Sequence, residues 1–193
     1  MRFLLPADFR TQPWKNGGGT THEIARNDQD GKMIWRLSIA EVTSDGPFSA
    51  FPGLSRILTV IEGAGLYLET PDARLDARPL APVAFSGDLP VSSRMIDGPI
   101  RDFNVIYDRR RITAAVTVLR ENAATDLAQG TGRHYACLAL TPGLSLDGAA
   151  LPQGAVAMAS AGYLQAGPGA CGLVTAFAPR GAAGAGPGPT RNA

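Results

Sequence analysis

Glycine and proline interrupt this chain too often for long helices to form. With 23 glycines and 15 prolines in 193 residues, a breaker falls on average about every five residues, a spacing that suits short strands and turns. Proline removes a backbone donor and clashes with the preceding helical turn. Between the breakers lie short runs rich in Ile, Val, Leu and Phe. The pattern predicts an all-β sandwich or barrel. Candidate strands are Thr20–Arg26, Trp35–Val42, Ile57–Glu62, Gly65–Glu69, Val83–Phe85, Arg101–Tyr107, Ile112–Leu119, His134–Leu140, Ala155–Ala159 and Leu173–Ala178. The stretches "NDQDGK", "TSDGP", "IEGAG", "TPDA" and "IDGP" carry turn chemistry. Glu121–Gln129 reads as a short helix, a turn or a loop.

So many short strands suggest two stacked β-barrel or jelly-roll modules in one chain. The first spans residues 1–110 and carries most of the polar residues. The second, smaller module spans 111–179 and is rich in Ala, Leu and Gly. Residues 180–193, "RGAAGAGPGPTRNA" from Arg180, cannot bury a face and are expected to be disordered.

The charge balance excludes some partners. Eighteen basic and 17 acidic residues leave a net charge of +1, with no electrostatic footprint for nucleic acid or an anionic membrane. Arg109–Arg110–Arg111 is expected to be a solvated strand edge. Cys137 and Cys171 are far apart in sequence and read as reduced, buried thiols. No signal peptide opens the chain, and apolar runs stop short of the ~20 residues of a membrane helix. A cytoplasmic protein is expected.

Three strands carry polar residues in unusual places. Side chains alternate between the faces of a strand. In "WRLSIAEV", Arg36, Ser38, Ala40 and Val42 therefore share one face. That face fits either the inside of a barrel cavity or a solvated outer surface. In "RILTVIEGAG", Arg56, Leu58, Val60 and Glu62 lie together; Glu62 adjoins a turn, where a structural role is natural. In "RDFNVIYD", Asp102, Asn104 and Ile106 lie together. Asp and Asn are poor strand formers, so a ligand pocket or a buried hydrogen-bond network must explain them.

The stretch "QPWKNGGGTTHEI" (residues 12–24) holds three consecutive glycines. It lacks the Walker spacing, and a strand rather than a helix follows. Glycines entering a strand mark a close approach by another backbone or a ligand. Lys15 and Asn16 are expected to face a cavity mouth. His22 and His134 are the only histidines, with no HxH or HExxH pattern, which disfavours a metal centre. No GxSxG nucleophile motif occurs.

The motifs "PWKNGGGTTHEIA", "WRLSIAEVTSDGPFSAFPGLSRILTVIEGAG", "FSGD" and "DFNVIYDR" together resemble the HutD family (HutD/Ves). The resemblance is in register from about Phe9 to Arg110 and looser as far as Ala178. It implies a cupin-type jelly-roll fold with two modules, a bicupin. It also implies a role in modulating histidine utilisation by sensing an intermediate such as urocanate or formyl- or formiminoglutamate. By motif position it implies a pocket of Lys15, Asn16, Arg36, Ser38, Arg56, Phe85, Asp102 and Asn104. His22 stands where the family motif carries Arg. The stretches that bear metal-binding histidines in many cupins have none here, so no metal or cofactor is expected.

Three functions follow as expectations. The first is metal-independent binding of a small carboxylate or imidazole metabolite, with Arg36 or Arg56 gripping a carboxylate. The second is a metal-free isomerase or hydrolase of a small carboxylate, with Lys15, His22, Glu23 or Asp102 as acid or base. The third is a structural or interaction role. Exposed edge strands would allow a homodimer under any of these.

Overall fold

A computed structural model describes residues 1–15 and 17–181. Its regular structure is strand apart from one 3-10 turn at Pro6–Asp8. The expected strands all form. The others are short, and several are polar, such as Arg74–Ala77, Ser92–Met95 and Ala124–Leu127. That last strand replaces the helix considered for Glu121–Gln129.

The strands build four sheets whose ladders are antiparallel. A six-stranded sheet runs, in spatial order, Arg10–Pro13, Gly19–Gln29, Lys32–Val42, Ile100–Tyr107, Ser55–Glu62 and Val83–Ser86. A four-stranded sheet contains Gly46–Pro47, Ser92–Met95, Leu66–Glu69 and Arg74–Ala77. A five-stranded sheet runs Arg2–Leu4, Val156–Ala159, His134–Ala139, Gly172–Pro179 and Ile112–Leu119. The second four-stranded sheet holds Ala124–Leu127, Gly162–Ala166, Leu144–Leu146 and Ala149–Leu151. The first strand of the chain thus pairs with a late one, Arg2–Leu4 against Val156–Met158.

Alternation explains the layering. On Lys32–Val42, Trp35, Leu37 and Ile39 join Phe103, Val105, Leu138, Leu173 and Phe177 in one core between the two larger sheets. There Trp35 stacks on Phe177, with ring centroids 5.0 Å apart. The opposite face, with Ala40 and Val42, packs with Leu58, Val60, Leu66 and Leu68. A third core joins Tyr135, Cys137 and Val174 to Leu144, Leu146 and Leu164. Each large sheet is therefore buried on both faces over much of its width. This explains strands that read as apolar on both sides.

Both cysteines are free, and burial pushes the Cys137 thiol up to about 12. Among the described residues, no helix is long and apolar enough to cross a membrane. The disordered tail expected from residue 180 lies, from residue 182 onward, outside the described residues. Arg180 itself donates its backbone N–H to the Arg111 carbonyl at 2.7 Å.

Candidate functional site

Three adjacent strands of the six-stranded sheet present a small grid of polar side chains on one face. Residues directly opposite across a ladder point the same way. The register sets Arg36, Ile106 and Arg56 in one row and Ser38, Asn104 and Leu58 in the next. Ala40, Asp102 and Val60 form the third row. A register shift beside Asp102 leaves Ile61 out of the ladder. This face lines a cavity of about 400 Å³. The cavity reading of Arg36 and Ser38 therefore holds over the solvated-face reading.

Arg56 lies in the floor and is 6% exposed. Its Nη2 donates to Asn104 Oδ1 at 3.0 Å, and its Nη1 donates to the Ser49 carbonyl at 3.3 Å. Its guanidinium sits 5.1 Å from the Phe48 ring centroid, 5.4 Å from Phe51 and 5.0 Å from Phe85. Such cation–π contacts hold the group without neutralising it. Burial lowers the Arg56 pKa to about 10; Asp102 opposes the shift and Arg36 adds to it.

Asp102 is fully buried. Its Oδ1 accepts from Asn104 Nδ2, so one amide links the cation to the carboxyl. Among the described residues, its Oδ2 has no hydrogen-bond partner, and neither does Arg56 Nε. Burial raises the Asp102 pKa to about 7, against the pull of Arg56 and the Asn104 hydrogen bond. Desolvation penalises the charged form, and a neutral amide stands between Asp102 and the Arg56 guanidinium.

Arg36 is tied differently. Its Nε donates to Glu23 Oε2 at 2.6 Å, both side chains being mostly buried. The strand irregularity between Glu23 and Ala25 lies beside this pair.

The mouth is built by loops. Trp14 Nε1 donates to Thr21 Oγ1 at 2.7 Å, and the Trp14 ring meets Phe48 edge-on. The glycine run folds this loop. Gly17 adopts φ +73°, and a Cβ on Gly19 would collide with the Glu41 carbonyl and lie 3.2 Å from the Trp14 ring. The close approach predicted for the glycines is therefore made by another backbone. On the other side, Asp88 accepts from the Gly53 N–H at 2.6 Å and from Arg109 Nη2 at 2.5 Å. Arg109 also donates to the Leu54 carbonyl at 2.6 Å. The "FSGD" and "YDRR" stretches thus pin the loop that carries Phe48, Ser49 and Phe51.

Of the residues expected in a pocket, Lys15, Arg36, Ser38, Arg56, Asp102 and Asn104 line this cavity. Phe85 does not; it packs beside Arg56, directly opposite it on the neighbouring edge strand. Asn16 lies outside the described residues. His22 hydrogen-bonds Thr11 Oγ1 through Nδ1 at 2.9 Å, and its Nε2 is 3.4 Å from Glu41. It is not among the lining residues. Glu62 pairs with Arg101 at 2.6 Å, as its structural reading required. Arg109–Arg111 form a turn rather than a strand edge. Arg110 and Arg111 accompany the buried carboxylate of Asp108. Sequence reasoning missed Trp14, Thr21, Phe48, Ser49 and Phe51. The aromatic cluster in "DGPFSAFPG" was the available signal. Among the described residues, no group of three or more His, Cys, Asp or Glu could hold a metal ion.

Comparison with known proteins locates this architecture. The HutD family model matches residues 6–166. An uncharacterized 21.2 kDa protein in the hutC 3′ region of Pseudomonas putida is 44% identical over 119 residues, 59% of this chain and 62% of that protein. The chain therefore spans less than two thirds of that relative. Protein Ves of Escherichia fergusonii is 36% identical over 133 residues, 64% of this chain and 68% of Ves. The structure of HutD from Pseudomonas fluorescens superposes with a TM-score of 0.80 at 32% identity, covering 93% of this chain and 99% of that one. More distant neighbours include an oxalate decarboxylase at TM-score 0.61 and 11% identity, covering 92% of this chain and 77% of that one. That likeness shows a cupin-like fold.

Proposed function

The chain belongs to the HutD family, and from that premise we propose that it binds a small carboxylate metabolite and modulates histidine utilisation through that binding. The observation that carries the reading is the pair of orphaned polar atoms in the cavity floor, Arg56 Nε and Asp102 Oδ2. Buried polar atoms are almost always satisfied, so a ligand is the natural partner. The cations support an anion: Arg56 and Lys15 line the cavity with no direct ion pair among the described residues, and Arg36 shares its charge with Glu23. The hutC-region relative supports the pathway.

Micromolar binding needs about 8 kcal/mol. One charge-assisted contact supplies roughly 1.5–3 kcal/mol. The remainder falls to the apolar wall of Trp14, Phe48 and Phe51, which suits a ligand with a flat or extended apolar body. HutD from Pseudomonas fluorescens was solved in a formate condition, so formate belongs in the first probe set. A thermal-shift screen with formate, urocanate, N-formylglutamate and formiminoglutamate tests the reading. Stabilisation by at least one acid is expected, and no shift with any of them would overturn it.

A second reading has one observation in its favour. A carboxyl that titrates at about 7 inside a cleft is suited to proton transfer. A metal-free isomerase or hydrolase would use Asp102 as its acid or base. Proton NMR of each bound acid over hours decides between them: turnover supports the enzyme, and an unchanged ligand supports the binding module.

A further inference from the structure

The cavity floor holds a carboxyl oxygen that no described residue satisfies and a ligand carboxylate can use. Asp102 Oδ1 is taken by Asn104, while Oδ2 has no partner among the described residues. The residues flanking Asp102 across both ladders, Ala40 and Val60, bring no polar side chain to it. Charged groups line the same cavity from three other elements: Arg56 on one adjoining strand, Arg36 on the other, and Lys15 on the rim loop. Glu23, on the strand beyond, faces Arg36 rather than Asp102. None of these groups bonds Asp102 directly.

A buried carboxylate without a direct cation is costly, and the neutral acid is the cheaper form. The acid carries an O–H on Oδ2, a donor in need of an acceptor. Arg56 Nε is a second buried donor without a partner among the described residues. Once Asp102 is protonated, both orphaned atoms of the floor are donors. A ligand carboxylate offers only acceptors.

We infer that the pocket takes up its carboxylate together with one proton, which rests on Asp102 Oδ2 and is donated to a ligand oxygen. This rests on the carboxylate-binding reading and adds a pH response to the same site. On the acid side the proton is already in place. On the alkaline side each binding event draws one proton from solvent, and each release returns it. Affinity is therefore flat at low pH and falls about tenfold per pH unit above the Asp102 titration. With that titration at about 7, Kd rises about 30-fold from pH 6 to pH 8.5.

Titrations of the protein with 13C-formate and with N-formylglutamate, whose carboxylates stay ionised across this range, provide the test. The expected result is the 30-fold weakening in wild type and a flat Kd in Asp102→Asn, which keeps every other charged group. Saturable binding with a constant Kd in wild type would overturn proton uptake and leave the carboxylate reading standing. Binding that tightens with rising pH would also overturn it, because Asp102 would then act as an anion. An Asp102→Asn variant that keeps the wild-type slope would move the proton elsewhere and defeat the assignment. No binding of either acid at any pH would overturn the underlying reading together with this inference. The wild-type titration decides the question even if the variant fails to fold.

Discussion

Arg56 Nη2 donates to Asn104 Oδ1 at 3.0 Å, and the same amide donates onward to Asp102. Asn104 therefore spends both ends of its side chain on ionisable neighbours in a buried floor. Asn104→Ala removes both partners at once. Each newly unsatisfied buried group costs about 1–3 kcal/mol, so a loss of at least about 2 kcal/mol is expected in urea denaturation at neutral pH. A variant as stable as wild type would mean that the amide is not the bridge described.

The raised pKa of Asp102 also predicts the sign of a stability change. The folded group titrates at about 7 against an ordinary value of 3.8. Between those values the folded state holds more protons than the unfolded one, so this group's contribution to stability falls as pH rises. The slope is at most about 1.4 kcal/mol per pH unit. Asp88 and Asp108 are shifted the opposite way and contribute stability that is lost on acidification. The difference between Asp102→Asn and wild type isolates the one group. The variant should gain on wild type steadily from pH 4 to pH 7, as measured by denaturant melts. A constant difference would contradict the raised pKa.

The polar grid was legible because strands alternate. Alternation put Arg36 and Ser38 on one face, either cavity or solvated, and alternation with poor strand propensity put Asp102 and Asn104 in a pocket or a buried network. Register then had to bring separate strands together, and no local signal carries that. Phe85 was placed by motif position, yet its ring packs beside Arg56 and is not among the cavity's lining residues. Trp14, Phe48 and Phe51 were not legible because they sit on loops, where no periodicity tells the direction of a side chain. The short strands of the outer sheets, such as "RLDA" and "SSRM", escaped notice because their exposed faces are polar and they are only four residues long.

The loop over the cavity depends on Asp88 and Arg109. Their pair is substantially exposed, so its direct contribution to stability is small. Its effect should be local. Asp88→Ala frees the Gly53 N–H and is expected to speed amide exchange at Gly53 with little change in overall stability. Ligand affinity should fall because Phe48 and Phe51 are held less firmly. Unchanged exchange at Gly53 would show that the loop is fixed by other contacts.

Two glycines beside Trp14, on the opposite side of the mouth, should respond differently. At Gly17 an alanine meets open space and pays only for its positive φ, about 1–2 kcal/mol. At Gly19 the new Cβ strikes the Glu41 carbonyl, and the backbone must move. Gly19→Ala should therefore be the more destabilising and should shift Trp14 fluorescence. The reverse order in thermal melts would contradict this description of the loop.

The central claim is that the cavity binds a carboxylate through its arginines. Its most direct test is an equilibrium titration of wild type, Arg36→Ala and Arg56→Lys with the acid that stabilises the protein most. Arg36→Ala leaves the floor intact, and Arg56→Lys keeps the charge while losing the planar fork. The account predicts one saturable site in wild type and at least tenfold weaker binding in each variant, with both variants folded. Equal affinity in all three proteins, or no saturable site in folded wild type, would contradict it.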